Sequence, residues 1–368
     1  MIELLNKSVE IIKDNQSVYG SFIASPYFPT YHYSWLRDGS FIAYSMDLMG
    51  EYESAEKFYH WIDTVIKRYG YKVENIKEKV KDGKRLVTGD FLHARYTLDG
   101  YEETEQGWGN FQLDGYGTWL WGLSEHIKLT GKEELIYDFK ESIELTIEYL
   151  SHLWNYPNYD VWEENGDKIH TSTLACIYGG IKSINEFLHD KKLLALCNEI
   201  KSFILTNCVS NGHFVKYIGS KDVDASLTWL PVPFEVIDIN DEIFNNTVEK
   251  IEKELFHNGG LHRFKDDTYY GGGEWILLSA WLGWYYAKVG EIDDAKNIKK
   301  WIEDQMDDNG YLPEQVCFHV NDDKYYPYWI EKWGEVAKPL LWSHAMYIVL
   351  IKMIEAGEKN ADKRCISF

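Results

Sequence analysis

The sequence predicts an all-α protein built as an (α/α)6 toroid, in which six helical hairpins form an inner ring of helices inside an outer ring. One unit recurs along the chain: an apolar helix rich in aromatic and small residues, a tight Gly or Asp turn, then a more charged helix. The apolar helices are hydrophobic all round, as expected of helices covered on both sides. The last unit lacks a full charged helix, which the N-terminal helix could supply to close the ring, whereas an open array would need polar caps.

The inner helices are predicted in chain order from this pattern. They are residues 38–49, 119–129, 174–188, 227–237, 275–289 and 341–356. Gly after the last periodic residue ends a helix, and the acidic residues that follow suit the first turn of the next helix. Gly290 and Gly357 are expected to end the fifth and sixth inner helices in this way. The fourth unit shows the weakest pattern.

The connections that lead into the inner helices are long and uneven, whereas the turns that leave them are short. Polar and aromatic clusters fall in these long connections or at the starts of the inner helices: Arg37 with Asp38, residues 108–114, Glu163 with Glu164, Arg263 with Trp275, and Glu314. Functional residues are usually carried by long loops on a rigid scaffold. The clusters therefore predict a site on one rim of the ring.

Composition limits the function classes. The 368 residues carry a net charge of −21, which argues against nucleic acid or an anionic membrane as partner and is compatible with a neutral substrate such as a sugar. No apolar run approaches the roughly 20 residues of a membrane span. Charged residues are spread over the first twelve positions, as in an amphipathic helix. A signal peptide would have an apolar run there instead, so a cytoplasmic location is expected. The oligomeric state cannot be predicted.

Neither a metal site nor a cofactor is predicted. The cysteines are scattered without a CxxC spacing, which supports neither a disulfide framework nor a zinc site: Cys176, Cys197, Cys208, Cys317 and Cys365. The histidines His32, His170 and His344 show no spacing typical of metal ligands, and structural or sugar-contact roles are expected for them.

Two acidic segments, residues 160–164 and 309–315, each place a glutamate beside an aromatic residue in a loop-like stretch. A pair of carboxylates from distant parts of a chain is the usual machinery for cleaving a glycosidic bond. Because the chain has 59 acidic residues, most of which belong to a solvated face, the pair gains meaning only from the motifs around it.

Six motifs in order resemble those of the glucoamylase-like enzymes of glycoside hydrolase family 15. They are YHYSWLRD at 31–38, WGNFQLDG at 108–115, DVWEE at 160–164, RFKDDTYY at 263–270, LPEQ at 312–315 and PLLWSHA at 339–345. The resemblance covers nearly the whole chain and implies a single catalytic domain over residues 1–368, of the prokaryotic type. It also implies hydrolysis with inversion at the anomeric carbon.

The resemblance assigns different roles to the two glutamates. Glu163 would be the general acid that protonates the leaving oxygen, and Glu314 the general base that activates water, with the two carboxyls roughly 6.5–9.5 Å apart. Asp160 and Glu164 are candidates for the like charges that would keep the acid protonated.

Further residues are expected to bind substrate by the same resemblance. Arg37 and Asp38 would grip the non-reducing terminal glucose, Tyr31 would help to place the base, and Glu164 and Arg263 would bind the leaving-group sugar. The pocket walls would be Trp35, Trp108, Trp162, Trp275 and Trp342. Each has a plainer reading: Asp38 suits a helix N-cap, Arg263 a surface salt bridge, and Tyr31 or an inner-helix tryptophan the core.

The expected activity is exo-acting release of β-D-glucose from short α-glucosides, with isomaltose-type α-1,6 bonds favoured over maltose-type α-1,4 bonds. Asn110, Phe111 and the pair Gly273-Glu274 depart from the fungal pattern, and these changes are expected at the leaving-group side of the pocket. Trehalose hydrolysis and a non-catalytic carbohydrate-binding or regulatory role are the alternatives. A phosphorylase would not need a base carboxylate, so Glu314 counts against it.

Overall fold

The computed structural model of the protein describes residues 2–103 and 107–366, and most of these are helical. The helices are α1 (Ile2–Asp14), α2 (Leu36–Leu48), α3 (Tyr52–Lys81), α4 (Asp114–Thr130), α5 (Leu135–Asp138), α6 (Lys140–Leu153), α7 (Thr171–Leu188), α8 (Lys191–Asn207), α9 (Glu242–Leu255), α10 (Ile276–Val289), α11 (Ile292–Glu303), α12 (Tyr325–Trp333) and α13 (Leu341–Ile366). No helix in this part of the chain has the length and apolar character to span a membrane.

Short strands of two residues each pair within the connections. They are β1 (Ser34–Trp35), β2 (Arg95–Tyr96), β3 (Val209–Ser210), β4 (His213–Phe214), β5 (Phe256–His257), β6 (Gly260–Leu261), β7 (Glu274–Trp275) and β8 (Gln315–Val316). β1 pairs with β2 and β3 with β4, whereas β5, β6, β7 and β8 form one antiparallel sheet in that order.

The inner ring is closed. α2, α4, α7, the short 3-10 helix Ala225–Trp229, α10 and α13 each pack against the next, and α13 packs back against α2. The outer helices α3, α6, α8, α9 and α11 cover them, and α1 packs on α13. The predicted toroid, including the closing role of the N-terminal helix, is therefore confirmed.

Aromatic side chains fill the middle of the ring. The Phe41 ring lies 5.4 Å from that of Trp121, 5.5 Å from that of Trp229, 6.5 Å from that of Trp281 and 5.7 Å from that of Trp342, measured between centroids. These five residues come from five different members of the inner ring. The aromatic richness of the inner helices thus has a packing cause, since large rings are needed to close the centre of the toroid.

Two predicted elements differ in the structure. The fourth inner helix, expected over 227–237, is only the 3-10 helix Ala225–Trp229, because Pro231 and Pro233 cannot donate the backbone hydrogen bonds of a longer helix. The sixth does not end at Gly357, which lies inside α13. A Cβ at Gly357 would lie 2.4 Å from Cδ1 of Ile292, so this glycine permits close packing of α13 against α11. Gly290, in contrast, caps α10 at φ 98° as predicted.

Candidate active site

One cavity of about 300 Å³ opens at the N-terminal ends of the inner helices. All residues that the sequence analysis proposed for the site line it: Tyr31, Trp35, Arg37, Asp38, Trp108, Trp162, Glu163, Glu164, Arg263, Trp275, Glu314 and Trp342. The volume lies at the lower end of the range for small-molecule sites, roughly 300–1,000 Å³. The structure thus brings the six separate motifs to one place on the rim.

Glu163 lies half-buried on a tight turn between α6 and α7. Its φ is 66°, a left-handed conformation that costs a non-glycine residue energy and recurs at functional sites. Asp160 holds this turn, because its Oδ1 accepts hydrogen bonds from the backbone N–H groups of Trp162 (3.0 Å) and Glu164 (2.9 Å). The Asp160 carboxylate therefore serves the geometry of the turn.

The carboxylate of Glu163 is fixed by two side-chain donors. Trp35 Nε1 and Gln112 Nε2 donate to its Oε1 at 2.6 Å and 2.9 Å. Both donors approach the same oxygen, which orients the carboxyl within the cavity. Gln112 also accepts a hydrogen bond from Nη1 of Arg37 at 2.9 Å, so Gln112 connects the carboxylate of Glu163 to Arg37.

Glu314 lies just before β8 and is only 2% exposed. Burial raises the pKa of its carboxyl from 4.5 to about 7, although the hydrogen bond from Tyr31 and the charge of Arg263 act in the opposite direction. The Tyr31 hydroxyl donates to Oε1 at 2.8 Å and lies 3.1 Å from the hydroxyl of Tyr269. Within the described residues, Oε2 has no hydrogen-bond partner.

Arg37 and Asp38 lie in the first turn of α2 and line the cavity, and both are buried. Nη1 of Arg37 donates to Oδ2 of Asp114 at 2.9 Å, and its Nε lies 3.2 Å from Oδ1 of Asp38. Burial raises the pKa of Asp38 to about 7, against the lowering effect of Arg37. The N-cap residue of α2 is Trp35 and Asp38 lies within the first turn, so the N-cap role is not supported.

On another wall of the cavity, Arg263 forms a buried ion pair. Its Nε donates to Asp267 at 2.7 Å, and its Nη2 bonds the same carboxylate and reaches Oε1 of Glu164 at 3.3 Å. Its guanidinium carbon also lies 5.4 Å from the ring centre of Trp162 and 5.2 Å from that of Trp275. With 3% of its surface exposed, Arg263 is not the surface salt bridge that its sequence context also allowed.

Trp35, Trp108, Trp275 and Trp342 also line the cavity. Trp35 and Trp108 meet edge to face with ring centres 6.3 Å apart, and the guanidinium of Arg95 lies 3.5 Å from the ring centre of Trp108. Arg95 therefore fixes the Trp108 ring from behind. Trp275 lies in β7, and Trp342 lies in the first turn of α13. Trp342 both lines the cavity and packs on Phe41, so it belongs to pocket and core alike.

Sequence reasoning missed several residues of the site. Gln112 and Tyr269 stand inside quoted motifs, yet motif spacing does not reveal which carboxylate each one serves. Helix α12 was not predicted, and its Trp329, Lys332 and Trp333 line the cavity. Trp329 Nε1 donates a hydrogen bond to the backbone carbonyl of Thr268 at 2.8 Å, which connects α12 to the segment that follows Arg263. The dense aromatic run at 325–333 was the available signal.

The departures from the fungal pattern fall elsewhere than expected. Asn110, Phe111, Gly273 and Glu274 are not among the residues that line the cavity. Asn110 bonds Glu103, and the Phe111 ring stacks on Phe91 at 3.7 Å. The expectation that these residues lie at the leaving-group side of the pocket therefore has no support in the structure, since none of the four belongs to the cavity lining.

The three histidines singled out in the sequence make structural contacts. His344 Nε2 accepts from the backbone N–H of Leu312 at 3.0 Å, its Nδ1 lies 3.0 Å from Ser8 Oγ, and burial lowers its pKa to about 3. His170 and His32 each bond a backbone carbonyl through Nε2. The cysteines of the described side chains, namely Cys176, Cys197, Cys208 and Cys317, are free thiols, and the side chain of Cys365 lies outside the described part.

The toroid and its carboxylate-lined, aromatic cavity define a glycoside hydrolase. The profile of Glycosyl hydrolases family 15 matches residues 5–299, and the chain belongs to this family. The matched region ends before Glu314.

Individual relatives extend the comparison over the whole ring. Isomaltose glucohydrolase of Kribbella flavida is 38% identical, over 95% of this chain and 91% of the relative. Solved structures of a glycosidase, in wild-type form and as a variant in complex with glucose, are 37% identical, with a TM-score of 0.93 and 96% of each chain covered. Trehalase 1 of Sulfolobus acidocaldarius is 26% identical over 73% of this chain, which spans only 48% of that relative.

Proposed function

We propose that this glycoside hydrolase removes glucose from the non-reducing ends of short α-glucosides with inversion, and so releases β-D-glucose. One observation carries the proposal: two glutamates from distant segments line the same cavity in different surroundings. Residues 1–368 act in this proposal as one catalytic domain that needs no cofactor.

Glu163 acts as the general acid. Trp35 and Gln112 both donate to its Oε1, which leaves Oε2 to carry the proton to the leaving glycosidic oxygen. The left-handed turn held by Asp160 directs this carboxyl into the cavity. The proton then passes to the oxygen of the departing sugar.

Glu314 acts as the general base. Its Oε1 is engaged by Tyr31, whereas the buried Oε2 is left to take a proton from the attacking water. Inverting enzymes use two carboxyls in these complementary roles on opposite faces of the sugar. The hydroxyls of Tyr31 and Tyr269 form a short chain that fixes the base in position.

The buried Arg37 and Asp38 bind vicinal hydroxyls of the terminal glucose, since charge-assisted hydrogen bonds are the strong ones. The buried Phe41 packs on Trp342, which lines the cavity, and this aromatic core beside the subsite supports exo action. Glu164 and Arg263 bind the leaving-group sugar, and the tryptophan faces contact the apolar surfaces of the rings.

Isomaltose-type α-1,6 bonds are the preferred substrates, ahead of maltose-type α-1,4 bonds. The 38% identity to an isomaltose glucohydrolase supports this preference, and the glucose complex of the solved glycosidase supports binding of a glucosyl unit. Trehalose is the second candidate because trehalases stand among the relatives. We place the reaction in the cytoplasm, in keeping with the free thiols, and exclude nucleic acid and membranes as partners on charge.

The test is hydrolysis of isomaltose, maltose, panose and trehalose by the purified protein, with NMR detection of the anomer released first. Isomaltose is expected to react fastest and to give β-glucose. Initial α-glucose would overturn inversion, and fastest cleavage of trehalose would favour the second candidate. Binding of these sugars without hydrolysis would indicate a carbohydrate-binding protein instead.

A further inference from the structure

A cluster of two histidines and one glutamate lies outside the cavity, on the four-stranded sheet. His257 in β5, Glu274 in β7 and His319 beyond β8 bring potential ligand atoms within 4.8 Å of one another. Nδ1 of His257 and Nδ1 of His319 lie 3.3 Å and 3.5 Å from Oε1 of Glu274. The three residues are far apart in sequence and meet only through the sheet, so motif spacing could not reveal them.

Glu274 is the unusual member of the cluster. Only 2% of the residue is exposed, and its Oε1 has no hydrogen-bond partner among the residues that the structure describes. A buried carboxylate oxygen accepts hydrogen bonds and does not donate them, so leaving it unpaired is costly. The two imidazole nitrogens face it without forming hydrogen bonds. A bound cation would satisfy all three groups at once.

The sheet is shaped to let Glu274 reach this position. β6 lies between β7 and β5, and Gly260 in β6 pairs with His257. A Cβ at Gly260 would lie 2.6 Å from Cδ of Glu274 and 2.8 Å from its Cβ. The Glu274 side chain therefore crosses β6 over the glycine, and a larger residue at 260 would displace it.

We propose that His257, Glu274 and His319 bind a divalent transition-metal ion, with Zn²⁺ as the best match. Two histidines and one glutamate are a known zinc ligand set with an open fourth position. Metal–ligand bonds of about 2.0–2.2 Å at tetrahedral angles separate ligand atoms by roughly 3.3–3.6 Å, close to the contacts of Glu274 with both histidines. The histidine side chains are 45% and 55% exposed, so solvent can supply the fourth ligand.

The ion would brace the sheet behind the cavity. Glu274 is followed directly by Trp275, and β8, which precedes His319, begins directly after Glu314, so two of the three segments that the ion joins lead into the cavity wall. The ion is structural in this proposal and takes no part in bond cleavage. Binding of the ion should therefore change the thermal stability and the absorption spectrum of the protein, independently of any hydrolytic activity.

Calorimetric titration of the chelator-treated full chain with Zn²⁺ alone tests the proposal, together with thermal unfolding. One ion per chain is expected, with a rise in Tm as Zn²⁺ increases, because a ligand of the folded state stabilises it. His257→Ala and His319→Ala should each weaken binding by about tenfold or more, as loss of even outer-shell support already costs about 10–100-fold. Co²⁺ in place of Zn²⁺ should give the visible absorption of a four- or five-coordinate ion.

His60→Ala is the matched control, since His60 is an exposed histidine on α3 outside the cluster. It should bind Zn²⁺ as the unmodified chain does. Glu274→Gln keeps the shape of the buried side chain and should fold while losing most of the affinity. Absence of a Zn²⁺ response in the unmodified chain, or an unchanged response in His257→Ala and His319→Ala, would overturn the proposal and leave the cluster as a set of polar contacts.

Discussion

The turn that carries Glu163 and the segment that carries Glu314 face the same cavity, yet each is held in a different way. Glu163 is half-buried, has a left-handed backbone and receives two N–H donors. Glu314 is buried in a bend just before β8, and its backbone N–H and C=O bond Ala337 and Ile276. Its carboxyl receives the Tyr31 hydroxyl on one oxygen. Environment can give one residue type two roles, and such a division is expected of an acid and a base that share a substrate.

The prediction with the largest expected effect uses two substrates to distinguish the general acid from the general base. Glu163→Gln and Glu314→Gln should each slow hydrolysis of isomaltose by about 10²–10⁴-fold, the usual size of a general acid or base contribution. α-Glucosyl fluoride has a leaving group that needs little protonation. Its hydrolysis should therefore persist in Glu163→Gln and fail in Glu314→Gln, as followed by fluoride release.

Glu199→Gln is the control for this pair, because Glu199 is exposed on the outer helix α8. It should hydrolyse both substrates at the original rates. Equal loss of fluoride hydrolysis in Glu163→Gln and Glu314→Gln would remove the distinction between acid and base.

A second prediction concerns stability and depends on the burial of Glu314. Burial raises the pKa of this carboxyl from 4.5 to about 7. The neutral form therefore favours the folded state: the contribution is complete below the unfolded pKa and is lost as the pH rises through about 7. The loss is on the order of 3 kcal/mol, because one pKa unit corresponds to about 1.4 kcal/mol.

Glu314→Gln stays neutral at every pH and should escape this loss. Its free energy of unfolding should exceed that of the unmodified protein at pH 8–9, and the difference should shrink towards pH 5, as measured by denaturant titration. Glu199→Gln should show no such pH-dependent difference. If Glu314→Gln were less stable than the original at pH 9, ionised Glu314 would not be the destabilising group.

Much of the ring could be predicted from periodicity, because inner helices buried on both sides must be apolar all round. The fourth inner helix failed where Pro231 and Pro233 interrupt an otherwise apolar run. Helix α12 was missed, since Trp329 and Trp333 face the cavity within a connection that has no helical partner in the repeat. The extent of the fourth inner helix and the presence of α12 therefore depend on how these segments pack in the fold and not on the local sequence pattern.

The candidate site shows the same limit. Its carboxylates and tryptophans follow from motifs, whereas the partners that distinguish Glu163 from Glu314 do not. Gln112 joins Glu163 to Arg37, and Tyr269 reaches Glu314 through Tyr31. Such pairings depend on side-chain direction after folding, which spacing in the sequence does not contain.

The smallest expected effect sharpens the assignment of the base. Both Asp38 and Glu314 have a pKa raised by burial to about 7, so an acidic limb of kcat/KM is expected near pH 7, set by one of these two groups. Tyr31 donates a hydrogen bond to Glu314 that lowers its pKa. Tyr31→Phe removes this donor, so the pKa of Glu314 should rise and the acidic limb should move to higher pH by up to about one unit, with about tenfold loss of kcat.

Tyr149→Phe removes a buried hydroxyl that serves Leu92 outside the cavity and should leave the limb in place. An acidic limb that stays at the same pH in Tyr31→Phe would be assigned to Asp38. Among the residues that the structure describes, the Tyr31 hydroxyl bonds Glu314 and Tyr269 and not Asp38. A limb that moves to lower pH would contradict the sign of the hydrogen bond itself. The pH dependence of kcat/KM would then have to be explained by substrate binding and not by ionisation of the general base.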